Sequence, residues 1–338
     1  MQIKWLFAVV IAWTFGLLML GAYVRLSDAG LGCPDWPGCY GQLTAPDEAH
    51  EIHQAQQQFG GEIVPHKGWK EMIHRYAAGI LGVLVLALTV VLWRQRQRLG
   101  LAPWLIVLPL VVVVFQALLG MWTVTLKLMP GVVTAHLIGG MTLLALLIAL
   151  AARYLGRPIS VLANLRPWFF VALLAVIVQI IIGGWVSTNY AGLACNDFPL
   201  CQGQITAPQG LLAALRPDRE LGRDVAGELL TIEHLAAIHW LHRVGAMLVL
   251  ALVGVLIYRL RNVQPRLAWA LAGALLLQVS LGIANVLASL PLSLAVAHNG
   301  GAALLLGILI YGLTLTPRSA RSNQSAPHFQ PEIARSTP

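Results

Sequence analysis

The sequence predicts an all-α integral membrane protein. Its eight transmembrane helices form two tandem four-helix bundles related by a pseudo-two-fold axis along the membrane normal. Three observations predict this. Of 338 residues, 58% are apolar and 11% charged, where a soluble domain carries roughly 25% charged residues. Eight apolar stretches reach the ~20 residues that a helix needs to cross the hydrocarbon core. The second half of the chain also repeats the first. So little charge cannot cover a water-facing surface of this size, which excludes a soluble globular domain or a disordered chain. The strand alternation of an outer-membrane barrel is absent.

The spans run Leu6–Val24, Trp69–Trp93, Ala102–Leu126, Val132–Ala152, Trp168–Ser187, Leu235–Tyr258, Leu267–Ala288 and Leu292–Leu315. The first has the position of a cleaved signal peptide, but its counterpart later in the chain assigns it to the fold. Lys4, Arg94, Arg96, Arg98, Arg153, Arg157, Arg166, Arg259, Arg261, Arg266, Arg318, Arg321 and Arg335 all fall on one side, with Glu332 as its one acid. The other side has nine basic residues and thirteen acids. By the positive-inside rule both termini are cytoplasmic, and the loops at about 25–68 and 188–234 face outward. The net charge of +8 is thus a topology signal and implies no nucleic-acid partner. Residues 317–338 read as a polar, disordered cytoplasmic tail.

The repeat is explicit. Residues 21–46 match 183–208 at fourteen of twenty-six positions without a gap. The same offset of 162 carries Gln116 onto Gln278, Gly120 onto Gly282, Val124 onto Val286 and His136 onto His298. His74-Arg75 meets His242-Arg243 at an offset of 168, after a six-residue insertion in the second loop. The halves are therefore 1–160 and 161–316. An even number of spans in each makes the repeat parallel, with a duplicated site.

Four histidines lie inside the second, fourth, sixth and eighth spans, at matching depth. A pair of neutral imidazoles on opposite sides of a flat ring suits axial ligation of a haem iron. A lone intramembrane histidine is read equally well as a hydrogen-bonded packing residue or proton carrier, but four paired by a repeat favour haem. A tetrahedral zinc set is missing, and so is the C-x-x-C-H signature of covalent haem. Gly139-Gly140, Gly183-Gly184 and Gly300-Gly301 fit either helix packing or close approach of a porphyrin. Arg75 and Arg243 are placed to pair with haem propionates or to reach lipid phosphate.

The halves differ at one telling position. Glu71 lies three residues before His74, near the same helix face, whereas its counterpart is His239. An interfacial helix-dipole cap is one reading of Glu71. A general base or electrostatic stabiliser beside a reacting haem edge is the other. On the second reading the half with Glu71 holds a haem that reacts and the other half holds one that carries electrons.

Four cysteines form two C-x5-C pairs, Cys33/Cys39 and Cys195/Cys201, in the outward loops. Each pair reads as a structural disulfide, with a redox-active dithiol or free thiols as the alternatives. His50, His53, His66, His234 and His328 read as solvated loop or border residues.

Together these features resemble the haem A synthase family: EMIHR at Glu71–Arg75, Ala135-His136, His242-Arg243, AHNGG at Ala297–Gly301 and the paired loop cysteines, over residues 5–315. The resemblance implies oxidation of the C8 methyl of haem O to a formyl group by successive hydroxylations. Oxygen would come from water and electrons would leave through bound haem b. It implies haem b at His242 and His298, haem O at His74 and His136, and Glu71 as the catalytic residue. It implies a bacterial inner-membrane location. Haem O synthase and a quinone or other membrane acceptor are the expected partners, and a homo-oligomer is compatible with the sequence. Two rivals stand beside this reading. A non-enzymatic di-haem cytochrome accounts for the histidines but not for Glu71 or the cysteine loops. A transporter predicts broken helices and charged midplane residues, which are not visible.

Overall fold

The computed structural model describes residues 3–224 and 227–317. The tail expected to be disordered lies, from residue 318 on, outside the described residues. Among the described residues, eight helices are long and apolar enough to cross a membrane. They span Ile3–Leu26, Pro65–Arg94, Pro103–Thr125, Pro130–Leu155, Arg166–Thr188, Ile232–Leu260, Pro265–Leu287 and Leu292–Leu315, and are called the first to eighth spans below.

Proline stands in the first turn of the second, third, fourth, fifth and seventh spans. There its missing N–H removes no helical hydrogen bond and its fixed φ favours entry. The sixth span starts at Thr231, which caps the N–H of His234. Apolar side chains face outward, as lipid requires: Val83, Leu174 and Leu276 are 67%, 64% and 69% exposed.

Helix neighbours form two closed rings. In the first, the first span touches the second and fourth, and the third touches the second and fourth. In the other, the fifth touches the sixth and eighth, and the seventh touches the sixth and eighth. The first and eighth spans, the fourth and fifth, and the fourth and eighth make the contacts between the rings. Buried cores run through both. Phe7, Val85 and Leu147 lie in one; Phe169, Val253, Leu271 and Leu309 lie in the other, which also takes in Met141 and Leu144 of the fourth span.

Some local readings change. The first loop contains a helix, Ala49–Phe59, capped by reciprocal bonds between Glu48 and Glu51. Only Ala55 of it is buried, so its weak apolar seam falls below a search for membrane-length runs. His50 and His53 are exposed on this helix. His66 belongs to the second span, which begins at Pro65. His234 stands at the border, in the first turn of the sixth span, where its Nδ1 lies 2.8 Å from the Thr231 hydroxyl in the capping pair.

Candidate functional site

Each intramembrane histidine turns its ring toward a glycine of the preceding span. A β-carbon at Gly21, Gly183 or Gly282 would stand 3.0, 2.9 or 3.1 Å from Cε1 of His74, His242 or His298. At Gly120 the corresponding distance to His136 is 3.6 Å. The glycines let helix and imidazole approach closely. The pairs noted in the sequence serve packing as well: Gly139 lies under Gln116, Gly140 under Leu18, Gly184 under Leu137 and Gly300 under Met19.

The His242 and His298 rings stand 6.3 Å apart, centroid to centroid, and are inclined by 75°. Two imidazole nitrogens binding one metal from opposite sides, each at about 2.0–2.1 Å, set ring centres on the order of 6 Å apart. Nδ1 of His74, His136 and His298 is buried with no hydrogen-bond partner among the described residues. An orphaned buried nitrogen is costly, and the helices packed around these rings do not supply its partner. No group of three or more His, Cys, Asp or Glu converges among the described residues, so the arrangement is one of paired imidazoles. This donor set fits a group that brings its own equatorial ligands.

Beside each pair a cysteine loop closes on the helix that carries the first histidine. Cys33 and Cys39 are joined by a disulfide, as are Cys195 and Cys201. In the first loop, Cys39 and Gln42 exchange two backbone hydrogen bonds, and the Asp35 carboxylate accepts the N–H groups of Tyr40 and Gly41. In the second, Cys201 and Gln204 pair likewise, and Asp197 accepts from Gln202 and Gly203. The N–H groups of Gly203 and Gln202 hold the Asp197 carboxyl below the usual carboxylate range.

The differing position sits under these loops. Glu71 is 5% exposed. Its Oε2 accepts the Cys33 N–H at 3.0 Å, and its Oε1 is 2.6 Å from the Arg75 guanidinium. In the second half, His239 is also 5% exposed. Its Nδ1 accepts the Cys195 N–H at 3.3 Å, and Arg243 Nε lies 3.4 Å from its Nε2. One buried slot thus holds a carboxylate in one half and an imidazole in the other. Arg75 also donates to the carbonyls of Pro37 and Gly38. Arg243 donates to those of Cys195, Asp197 and Leu200. Both arginines, expected at propionates or phosphates, have acceptors within the loops.

The family model described as cytochrome oxidase assembly protein (COX15-CtaA) matches residues 4–310. The chain belongs to this family. A "Heme A synthase" of Shewanella oneidensis is 45% identical over 92% of this chain and 95% of its own. A "Heme A synthase" of Caulobacter sp. (strain K31) is 30% identical over 89% and 92%. One of Caulobacter vibrioides is 29% identical over 90% and 92%.

Within this family member, the structure brings His242 beside His298 and Glu71 beside Cys33 and Arg75. Sequence reasoning named His239 only as the counterpart of Glu71, and it missed Gln179. His239 is more than a lost carboxylate, since it takes over the same loop N–H. Gln179 Nε2 lies 3.0 Å from His242 Nδ1 and donates to the His242 carbonyl at 2.8 Å. A polar side chain one helical turn before Gly183 was the available signal.

Proposed function

We infer that the chain is an oxidoreductase that converts haem O to haem A. Close likeness along nearly the whole chain to proteins named haem A synthase carries this reading. The buried carboxylate confined to one half supports it. Expression in a host that makes haem O but no haem A tests it, with the extracted haems separated by chromatography. Haem A, or its hydroxylated precursor, is the expected product. Unchanged haem O beside bound haem b alone would point instead to an electron-carrying cytochrome.

The sites divide by half. Residues 1–160 form the substrate half, with His74 and His136 as ligands to haem O. Residues 161–316 form the cofactor half, with His242 and His298 holding non-covalent haem b. The tandem bundles are related by a pseudo-two-fold along the membrane normal. When bound, haem b supplies a one-electron redox centre through which electrons leave. Each hydroxylation of the substrate methyl takes one oxygen from water and releases two protons and two electrons. A second hydroxylation and loss of water give the formyl group.

The protein's own residues position and exclude. His74 and His136 orient the substrate. The disulfide-closed first loop covers Glu71 and fixes one carboxylate oxygen at the Cys33 N–H. Arg75 fixes the other. A carboxylate so placed takes a proton from the incoming water or stabilises positive charge on the substrate carbon. His239, in the equivalent slot, offers no such anion. Both termini are cytoplasmic in the bacterial inner membrane, and the cysteine loops are extracytoplasmic. Haem O synthase supplies the substrate, and a quinone or another membrane acceptor takes the electrons.

A further inference from the structure

The two histidine pairs are held differently. In the second half each imidazole meets a glutamine amide. Gln179 Nε2 lies 3.0 Å from His242 Nδ1, and Gln278 Nε2 lies 3.3 Å from His298 Nε2. Gln179 grips its histidine twice, because the same nitrogen donates to the His242 carbonyl at 2.8 Å. Ring and backbone of one residue are thereby tied to the fifth span, which leaves little freedom for the ring torsion. Nδ1 of His74, His136 and His298 has no hydrogen-bond partner among the described residues, so the contrast between the halves lies in His242, whose Nδ1 is met by Gln179, against His74, whose Nδ1 is met by nothing.

The repeat shows that this difference is built in. Gln179 stands one turn before Gly183, which faces His242; Leu17 stands one turn before Gly21, which faces His74. Leucine cannot hydrogen-bond an imidazole. A second position changes with it. A β-carbon at Gly245 would stand 2.1 Å from Gln179 Oε1, so a side chain there would push the amide out of this position. By the offset of 168, the counterpart of Gly245 is Ala77. The second half thus pairs Gln179 with Gly245, where the first half pairs Leu17 with Ala77.

A ligand histidine usually has its other ring nitrogen held by a polar group. That contact fixes the tautomer and the ring orientation, and its loss typically costs 10–100-fold in affinity. A glutamine amide carries both a donor and an acceptor. Gln179 Oε1 has no hydrogen-bond partner among the described residues, and turning the amide over brings this acceptor to a proton on Nδ1 when Nε2 binds a metal. This argument rests on the reading that His242 and His298 hold resident haem b while His74 and His136 receive a haem that must leave as product.

We propose that Gln179, admitted by Gly245, is the positioning residue that locks His242 and makes the second-half haem resident. Leu17 and Ala77 leave His74 without that lock, so the first-half haem exchanges.

The test uses the full chain in detergent, with haem transfer to apomyoglobin followed over time and the low-spin electron paramagnetic resonance spectrum recorded. Gln179→Leu is expected to release haem b about 10–100-fold faster and to shift the low-spin signal. Gln179→Glu restores slow release and lowers the midpoint potential by bringing a negative charge to the imidazole. Gly245→Ala, which keeps the glutamine but removes its space, reproduces the Gln179→Leu behaviour and stands in for it if that variant does not fold. Leu17→Gln with Ala77→Gly slows release from the first half. Wild-type release rates and spectra in both Gln179→Leu and Gly245→Ala would overturn the lock. Haem b content unchanged in His242→Ala and His298→Ala would instead overturn the site assignment beneath it.

Discussion

Glu71 and His239 occupy one slot, take the same kind of loop N–H and stand four residues before an arginine. They differ in what they can do to a substrate. A carboxylate offers a negative charge and a proton site, whereas a neutral imidazole offers only the latter. Glu71→Gln keeps an oxygen for the Cys33 N–H and removes the charge. It is expected to lower haem A formation by about 100-fold, within the usual range for a lost acid–base group, while bound haem b per protein stays at the wild-type level. Chromatography of extracted haems with a haem-to-protein ratio checks both parts. Unimpaired haem A formation would return Glu71 to the role of a helix-end cap. The contrast between positions 71 and 239 was legible in the sequence through the repeat. What each side chain touches was not, because Cys33 lies 38 residues away and Cys195 lies 44 residues away.

The cysteine loops act as lids joined to the helices beneath them. Each disulfide closes a separation of six residues, for which the chain-entropy model gives about 2 kcal/mol. Replacing either pair by serine is therefore expected to lower thermal stability by a similar amount, measured by unfolding in detergent. Product formation separates the two. Loss of Cys33 and Cys39 loosens the N–H that holds Glu71, so it should reduce haem A formation well beyond the stability effect. Loss of Cys195 and Cys201 loosens His239 and should reduce it less. Equal losses in the two double variants would sever the link between the first loop and Glu71. The pairing within each loop was an expectation from its short spacing. The helix Ala49–Phe59 was not picked out, since at 11 mostly polar residues it falls far short of the ~20-residue apolar runs that mark a span.

Across the molecule, the two rings of helices meet in a polar clasp at the end that carries the cysteine loops. The Arg25 guanidinium donates to the Ser187 carbonyl and lies 4.0 Å from the Tyr190 ring centre. The Asp28 carboxylate accepts from the Tyr190 hydroxyl and from Lys67. Asp28 and Tyr190 are themselves related by the offset of 162. The hydrogen bond from Lys67 holds the Asp28 carboxyl below its ordinary value of 3.8. A carboxyl with a depressed folded-state pKa stabilises the fold above its unfolded pKa, and that contribution disappears as pH falls through the folded value. The stability gap between wild type and Asp28→Asn should therefore be constant from neutral pH to about pH 5 and close below about pH 4. Because the pair is largely exposed, the gap itself should be under about 1 kcal/mol. Thermal unfolding across that pH range measures it, and a gap that widens on acidification would contradict the assignment.

The sequence by itself determined the number of spans, the pairing of four histidines, the one unmatched carboxylate and the two cysteine pairs. These follow from apolar run length and from an offset that counts residues along the chain. Only the tertiary structure decided which side chains meet. The amide of Gln179 reaches His242 because Gly245 leaves room for it, and His239 replaces Glu71 beneath a loop that keeps the same Cys–Gln and Asp hydrogen bonds. Helix periodicity fixes which face of a span a residue occupies. Contact across spans depends on reach and on the space the opposite helix leaves, and no regularity within a single helix records either.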